Sequence, residues 1–356
     1  MYSMSDSQIA VEGISHTDFV SSMKEKIYEV LRQLIPHGAT VALLDFPNHS
    51  NVGDSAIWLG EKTYLRDIGA SVAYTCDITT FSKDQLIRKV GNGVILLSGG
   101  GSLGDLWPQY QRFREKIIGL FPDNQIVQMP QSIYFKEIEN LKQAREVFNR
   151  HPHLTLLLRD EKSFEFARNE FKVRSLLCPD MAFALGVLRR SERPKKQIVL
   201  LKRTDIESVW QFSAFASGSE VHKVDWSDET STLTATVNEF LTTQGGLHPR
   251  RLEYFKIIAS ITYDQLAKER LDCGSKILSR GEVIVTDRLH GHILSLLMGI
   301  PHVCLDNHYG KLRNFYETWT KKNSLTYWAN DPMEALELAK RLAESTPKFK
   351  CLNEDK

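Results

Sequence analysis

At 356 residues the chain exceeds one average domain and fits two of roughly 150 to 200 residues each. Hydrophobic residues at 42% and charged residues at 25% exclude a disordered chain, and 45 basic against 44 acidic residues leave a formal net charge of +1, too small to recruit nucleic acid. The five cysteines (Cys76, Cys178, Cys273, Cys304 and Cys351) show no CxxC spacing, which argues against a disulfide framework or a structural zinc and fits a reducing cytosol.

The opening "MYSMSDSQIAVEGISHTDF" lacks the basic start and apolar run of a signal peptide and reads as a partly ordered lead-in. No stretch approaches about 18 uninterrupted apolar residues, so no span is expected. The expected location is the cytoplasm, with attachment to the inner face of the membrane left open.

The segment "TVALLDF" (40–46) reads as a strand ended by Pro47, and "DSAIWLGEKTYLRDIG" carries Ile57, Leu59, Tyr64 and Leu65 near helical spacing. The alternation continues with strands at 71–77, 93–101, 125–133, 154–160 and 174–180, separated by helices at 81–90, 109–120, 136–150 and 161–171. Strands rich in Val, Ile and Leu that alternate with helices predict a parallel sheet covered on both faces. The basic stretch "LGVLRRSERPKKQ" (185–197), broken by Pro194, is the candidate linker.

A second unit follows: strands at 198–205 and 220–225, a helix at 231–242, one long helical segment at 251–278, and a strand at 283–287. A helix from 291, a strand at 302–307 and helices at 310–322 and 331–345 complete it. The fold class is therefore α/β with two Rossmann-like doubly wound domains, residues 1–190 and 191–356, facing each other across a cleft. Open parallel sheets bind ligands beyond the carboxyl ends of their strands, so the polar residues there carry the functional question.

Four strand ends stand out. In "DFPNHSNVGDSA" (45–56), Asn51, Gly53 and Asp54 form either a ligand loop at a helix amino terminus or a plain turn with Asp54 as the cap. In "LLSGGGSLGDLW" (96–107), the run Gly99, Gly100, Gly101 lacks the spacing of a dinucleotide loop or a P-loop, and suits a sugar or phosphate resting on backbone; a tight structural turn is the alternative. In "LLLRDEKS" (156–163), Arg159 either grips an anion or pairs with Asp160 or Glu161.

The fourth is "VIVTDRLHGHILSLLMGIP" (283–301), which sets Asp287, Arg288 and His290 at a strand end, with His308, Tyr309, Lys311 and Arg313 at the next. Arg288, His290 and Lys311 make a cationic pocket around one group that trades protons near neutrality. His292 is assigned to packing or support. Trp58 and Trp107 lie close enough to the loops to stack on a sugar, with burial in the core the preferred reading for both, and Asp105 or Asp54 is a candidate partner for an acceptor hydroxyl. Neither HExxH nor a compact carboxylate cluster occurs, so no metal is expected.

Taken in order, "NVGD", "SGGGSLGD", "RDEKS", "CPD" and "TDRLHGHILSLLMGIP" resemble the polysaccharide pyruvyltransferase family over most of residues 40–325. The resemblance implies a fold similar to GT-B glycosyltransferases and transfer of pyruvate from phosphoenolpyruvate to two hydroxyls of one sugar, giving a cyclic ketal without a cofactor. It also implies a donor site of Arg159, Arg288, His290 and Lys311 on the side of the second domain. The acceptor, a saccharide either free or lipid-linked, would lie against the first domain. Two other classes compete: a nucleotide-sugar glycosyltransferase of the same architecture, and a saccharide-binding protein without activity. The oligomeric state is open.

Overall fold

The computed structural model describes residues 15–203, 210, 220–228, 233–247, 252–306 and 310–345. A first helix α1 (His16–Leu31) begins within the stretch expected as a partly ordered lead-in. Ser15 caps it by accepting from the Asp18 N–H, and Val20, Met23, Ile27 and Leu31 recur on one buried face, so amphipathic packing orders it.

The first sheet is built by β1 (Thr40–Leu44), α2 (Val52–Asp67), β2 (Ser71–Cys76), α3 (Lys83–Val90), β3 (Val94–Leu97), β4 (Gly100–Gly104), α4 (Pro108–Leu120), β5 (Ile126–Tyr134), α5 (Ile138–Arg150), β6 (Leu154–Leu158), α6 (Glu161–Glu170) and β7 (Arg174–Leu177). All its pairings are parallel, in the order β2-β1-β3-β5-β6-β7, with β4 lying beside the later half of β5. Strands β3 and β6 are buried at every residue, as helices on both faces require. The apolar run at 93–101 is thus two strands rather than one, broken at Ser98 and Gly99 and resumed at Gly100, whose φ of +135° suits glycine alone.

The second sheet follows a short 3-10 turn (Met181–Leu185) and contains β8 (Lys196–Leu201), β9 (Val221–Val224), β10 (Gly281–Thr286), β11 (His302–Cys304) and β12 (Thr326–Trp328) in the parallel order β12-β11-β10-β8-β9. Its helices are α7 (Leu233–Leu247), α8 (Leu252–Ile261), α9 (Tyr263–Ser279), α10 (Leu289–Leu297), α11 (Lys311–Phe315) and α12 (Pro332–Ser345). Two expectations change here. The single helix at 251–278 is broken at Thr262, whose hydroxyl donates back to the Ala259 carbonyl. Strand β12 was not foreseen because three residues carry too little alternation to register.

In each sheet the chain steps outward to one side and then returns to the other. The first such switch lies between β1 and β3, the second between β8 and β10. An apolar cluster joins the two halves, drawing Val41 and Leu43 of β1, Trp58 of α2, Leu201 of β8, Leu266 of α9 and Ile293 of α10 into one core. Among the described residues no helix is long and apolar enough to cross a membrane.

Candidate active site

A cavity of about 400 Å³ opens between the two switch points. Asp45 and Pro47 follow β1, Ser98 and Gly99 follow β3, Arg203 follows β8, and Arg288, Leu289 and His290 follow β10; all line it. Arg159 arrives from the end of β6 and Lys311 from the start of α11.

Arg159 is 3% exposed, yet it pairs with neither Asp160 nor Glu161. Its Nη1 donates to Asp180 Oδ2 at 2.7 Å and its Nε to Ser132 Oγ at 3.0 Å. Asp160 caps α6 instead, accepting from the Ser163 N–H at 2.8 Å. The Trp319 indole donates to the Arg159 carbonyl at 2.9 Å, fixing the backbone from the other half of the molecule.

Asp180, the aspartate of the "CPD" segment, lies at the centre of this arrangement. Its Oδ1 accepts the Ala182 N–H at 2.9 Å, and its Oδ2 also lies 3.3 Å from His290 Nε2. Burial alone would push this carboxyl up, but the His290 ring, then Arg159 and the Ala182 N–H, hold it well below the usual carboxylate range. Arg288 ion-pairs with the buried Asp225, and its backbone N–H donates to Thr286 Oγ1 at 3.0 Å. Asp287 accepts the Arg203 N–H at 3.0 Å, and burial raises it to about 6.

His290 is the second residue of α10, and the backbone of α2 runs against its ring. A Cβ built on Gly53 would stand 2.1 Å from His290 Nδ1. Glycine at 53 therefore makes room for an imidazole of this chain rather than for a ligand. Asn51, not Asp54, caps α2: its side chain accepts the Gly53 N–H and donates to Asp54 Oδ2, each at 2.9 Å. Asn51 and Asp54 both line the cavity.

The triple glycine has a similar logic. A Cβ on Gly101 would meet Arg159 Nη2 at 3.0 Å and Lys311 Nζ at 3.1 Å, and Lys311 donates to the Gly101 carbonyl at 3.1 Å. Bare backbone thus brings two cations together. Gly99 and Gly101 line the cavity, whereas Gly100 does not. Glu61, fully buried and unforeseen, holds the turn by accepting from the Gly99 N–H at 2.7 Å and Ser98 Oγ at 2.9 Å.

Asp105 is placed differently from expectation. It is absent from the cavity wall, and its carboxylate accepts the Lys136 and Glu137 N–H groups, at 2.7 to 3.0 Å, where α5 begins. Helix termini leave such N–H groups open, and Asp105 meets that need from a neighbouring loop. Trp58 is buried in the core with its indole on Asp264, whereas Trp107 lines the cavity with His49, Gln109 and Tyr110. His292 is in the core: its Nδ1 lies 2.7 Å from His302 Nε2 and its Nε2 2.9 Å from Thr320 Oγ1. Burial keeps both rings uncharged, lowering His302 to about 4 and His292 further. His308 and Tyr309 lie outside the described residues.

Arg159, Arg203, Arg288, Lys311 and His290 line the cavity together with Asp45, Asp54, His49, Gln109, Tyr110 and Trp107. Cations of this kind can grip an anion, and the aromatic side chains can pack on a flat ligand face.

An α/β architecture of two parallel sheets with a cavity at their switch points is GT-B-like. Residues 51–309 match the family model for polysaccharide pyruvyl transferase, and the chain belongs to that family. It is 33% identical over 300 residues to EpsO of Bacillus subtilis (strain 168), whose name assigns it as a pyruvyl transferase, covering 84% of this chain and 90% of that one. It is 32% identical over 291 residues to Pyruvyl transferase 1 of Schizosaccharomyces pombe (strain 972 / ATCC 24843), covering 78% and 69%. A crystal structure of an uncharacterized protein from Klebsiella pneumoniae subsp. pneumoniae NTUH-K2044 shares the fold, with a TM-score of 0.57 at 18% identity over 86% of this chain and 98% of that one.

Proposed function

We propose that the chain transfers pyruvate from phosphoenolpyruvate to two hydroxyls of one sugar in a polysaccharide precursor, forming a cyclic ketal and releasing phosphate. The observation that carries this reading is the convergence of Arg159, Arg288, Lys311 and His290 from separate strand ends on one cavity. Phosphoenolpyruvate presents a carboxylate and a phosphate across a small enol ether, and three cations match those two anionic groups.

Carbon 3 of the donor must gain a proton before carbon 2 accepts a hydroxyl oxygen. In this reading His290 gives that proton, since an imidazole can serve as acid and base in turn. Arg159 and Arg288, each anchored by a buried carboxylate, hold the donor without swinging away. The first hydroxyl adds to carbon 2, phosphate departs with its bonding pair, and the second hydroxyl closes the ketal. Of the two hydroxyl protons, one is balanced on carbon 3 and one on phosphate. In this reading Trp107 and Tyr110, which line the cavity, pack against the sugar ring. The place of the reaction is the cytoplasm, where the acceptor is a free or lipid-linked saccharide.

The test is phosphate release from phosphoenolpyruvate by the purified protein, with a panel of hexosides and lipid-linked saccharides. Acceptor-dependent release that is lost in His290→Ala, with donor still bound, supports the reading. Silence from the wild type joined to binding of a nucleotide sugar moves it to glycosyl transfer.

A further inference from the structure

We propose that Asp45, at the carboxyl end of β1, takes the proton from the sugar hydroxyl that attacks the donor. The inference rests on the pyruvyl-transfer reading and adds the base that His290 cannot be while it serves as the acid.

Three independent observations point to Asp45. It lines the cavity together with Ser98 and Gly99 across the β1-β3 switch. It is 8% exposed, and its Oδ1 has no hydrogen-bond partner among the described residues. It is the one non-glycine residue among those described with positive φ, +68°. Buried carboxylates are ordinarily satisfied, and left-handed backbone at a non-glycine residue costs free energy, so a structure that keeps both at one cavity-lining residue has a use for them.

A role in fold stability fits poorly. The nearby buried guanidinium of Arg114 spends its hydrogen bonds on Gln128, Gln111 and Ser102 and none on Asp45. Arg114 thus contributes charge without a bond. Burial raises Asp45 to about 7, with Arg114 pulling it down and Asp77 and Asp54 pushing it up. Glu61, Tyr110 and Cys76 face it as well. A carboxylate poised there accepts a proton near neutral pH more readily than an ordinary aspartate.

The proton balance closes. As the first hydroxyl oxygen bonds to carbon 2, its O–H bond breaks and the proton passes to the Asp45 carboxylate, while His290 supplies the proton for carbon 3. Asp45 then gives its proton to the departing phosphate, and the second hydroxyl returns one to His290. Both groups end as they began, and no oxidant, reductant or metal is consumed.

The experiment is steady-state phosphate release from phosphoenolpyruvate with a productive acceptor, for wild type, Asp45→Asn and Asp45→Gly, together with donor binding measured by calorimetry. Asparagine and glycine both tolerate positive φ, so at least one variant retains the fold. The expected result is a fall in kcat of about 100-fold or more with donor affinity unchanged. The low-pH limb of the wild-type profile, where Asp45 takes up its proton, is expected to vanish in the variants. A folded variant with wild-type kcat and an intact low-pH limb overturns the assignment while leaving pyruvyl transfer standing. Wild type that releases no phosphate with any acceptor overturns both.

Discussion

Asp180 Oδ2 lies 3.3 Å from His290 Nε2 while accepting a 2.7 Å hydrogen bond from Arg159 Nη1. One fully buried carboxylate thus ties a cation delivered by the first sheet to an imidazole delivered by the second. Asp180→Asn removes the counter-charge and leaves the Arg159 guanidinium buried without it, a loss of about 3–5 kcal/mol. Urea unfolding should read that loss. The sign with pH follows from the depressed carboxyl: its contribution is complete above the ordinary aspartate value of 3.8 and fades as pH falls below it. The variant should lack that part of the wild-type acid sensitivity, and equal sensitivity in both would remove Asp180 from this role.

Gly53 and His290 occupy one space. Gly53→Ala puts a methyl group where the imidazole stands, so the ring must move away from Asp180. Phosphate release should fall as it does in His290→Ala, and the double variant should be no worse than either single one, since both remove the same interaction. Additive losses would show that Gly53 acts on something other than the ring.

Asp105→Ala should separate stability from activity. Its carboxylate accepts the Lys136 and Glu137 N–H groups just ahead of α5, and losing these hydrogen bonds costs about 1 kcal/mol. Phosphate release at saturating substrates should be unchanged at a temperature where the variant is folded. A fall in kcat would return Asp105 to the acceptor site.

Glu61 makes a prediction of opposite sign to Asp180. Burial raises it to about 8, although the Gly99 N–H and the Ser98 hydroxyl pull it down. Between its ordinary value of 4.5 and about 8 the folded protein holds a proton that the unfolded chain has shed. Its contribution to stability therefore declines as pH rises through that window. Glu61→Gln cannot titrate, so Tm measured from pH 5 to 8.5 should fall less steeply in the variant. Parallel curves would mean that Glu61 is ionised throughout.

Much of this arrangement was legible because parallel strands end in the same way each time. An apolar run, then a polar residue, identified Arg159, Arg288 and His290, and the cavity receives them all. The same rule applied to "TVALLDF", "IVLLKRTD" and "VHKVDW" brings in Asp45, Arg203 and Asp225 as well, all three of which line the cavity. Asp180 and Glu61 act on groups more than 20 residues away, so their partners are invisible until the chain folds. Helix α1 was hidden by the polar run before it, and Asp105 misled because a strand-end aspartate serves a neighbouring helix as readily as a ligand.

The apolar cluster joining the two halves bears on how such enzymes can be recombined. Trp58, Leu266 and Ile293 meet in one interior although they lie on α2, α9 and α10, and Trp58 is hydrogen-bonded to Asp264 across the same seam. A chimera that takes residues 1–190 from one relative and the remainder from another would cut through this interior and mismatch its packing. Exchanging the loops that follow β1 and β3 leaves the seam intact where Phe46, Pro47 and Asn48 are kept, since Phe46 stacks on Tyr263, the Pro47 carbonyl accepts from Arg270 and Asn48 donates to Asn238. Acceptor preference should therefore travel between relatives as short loop grafts, and not as whole halves.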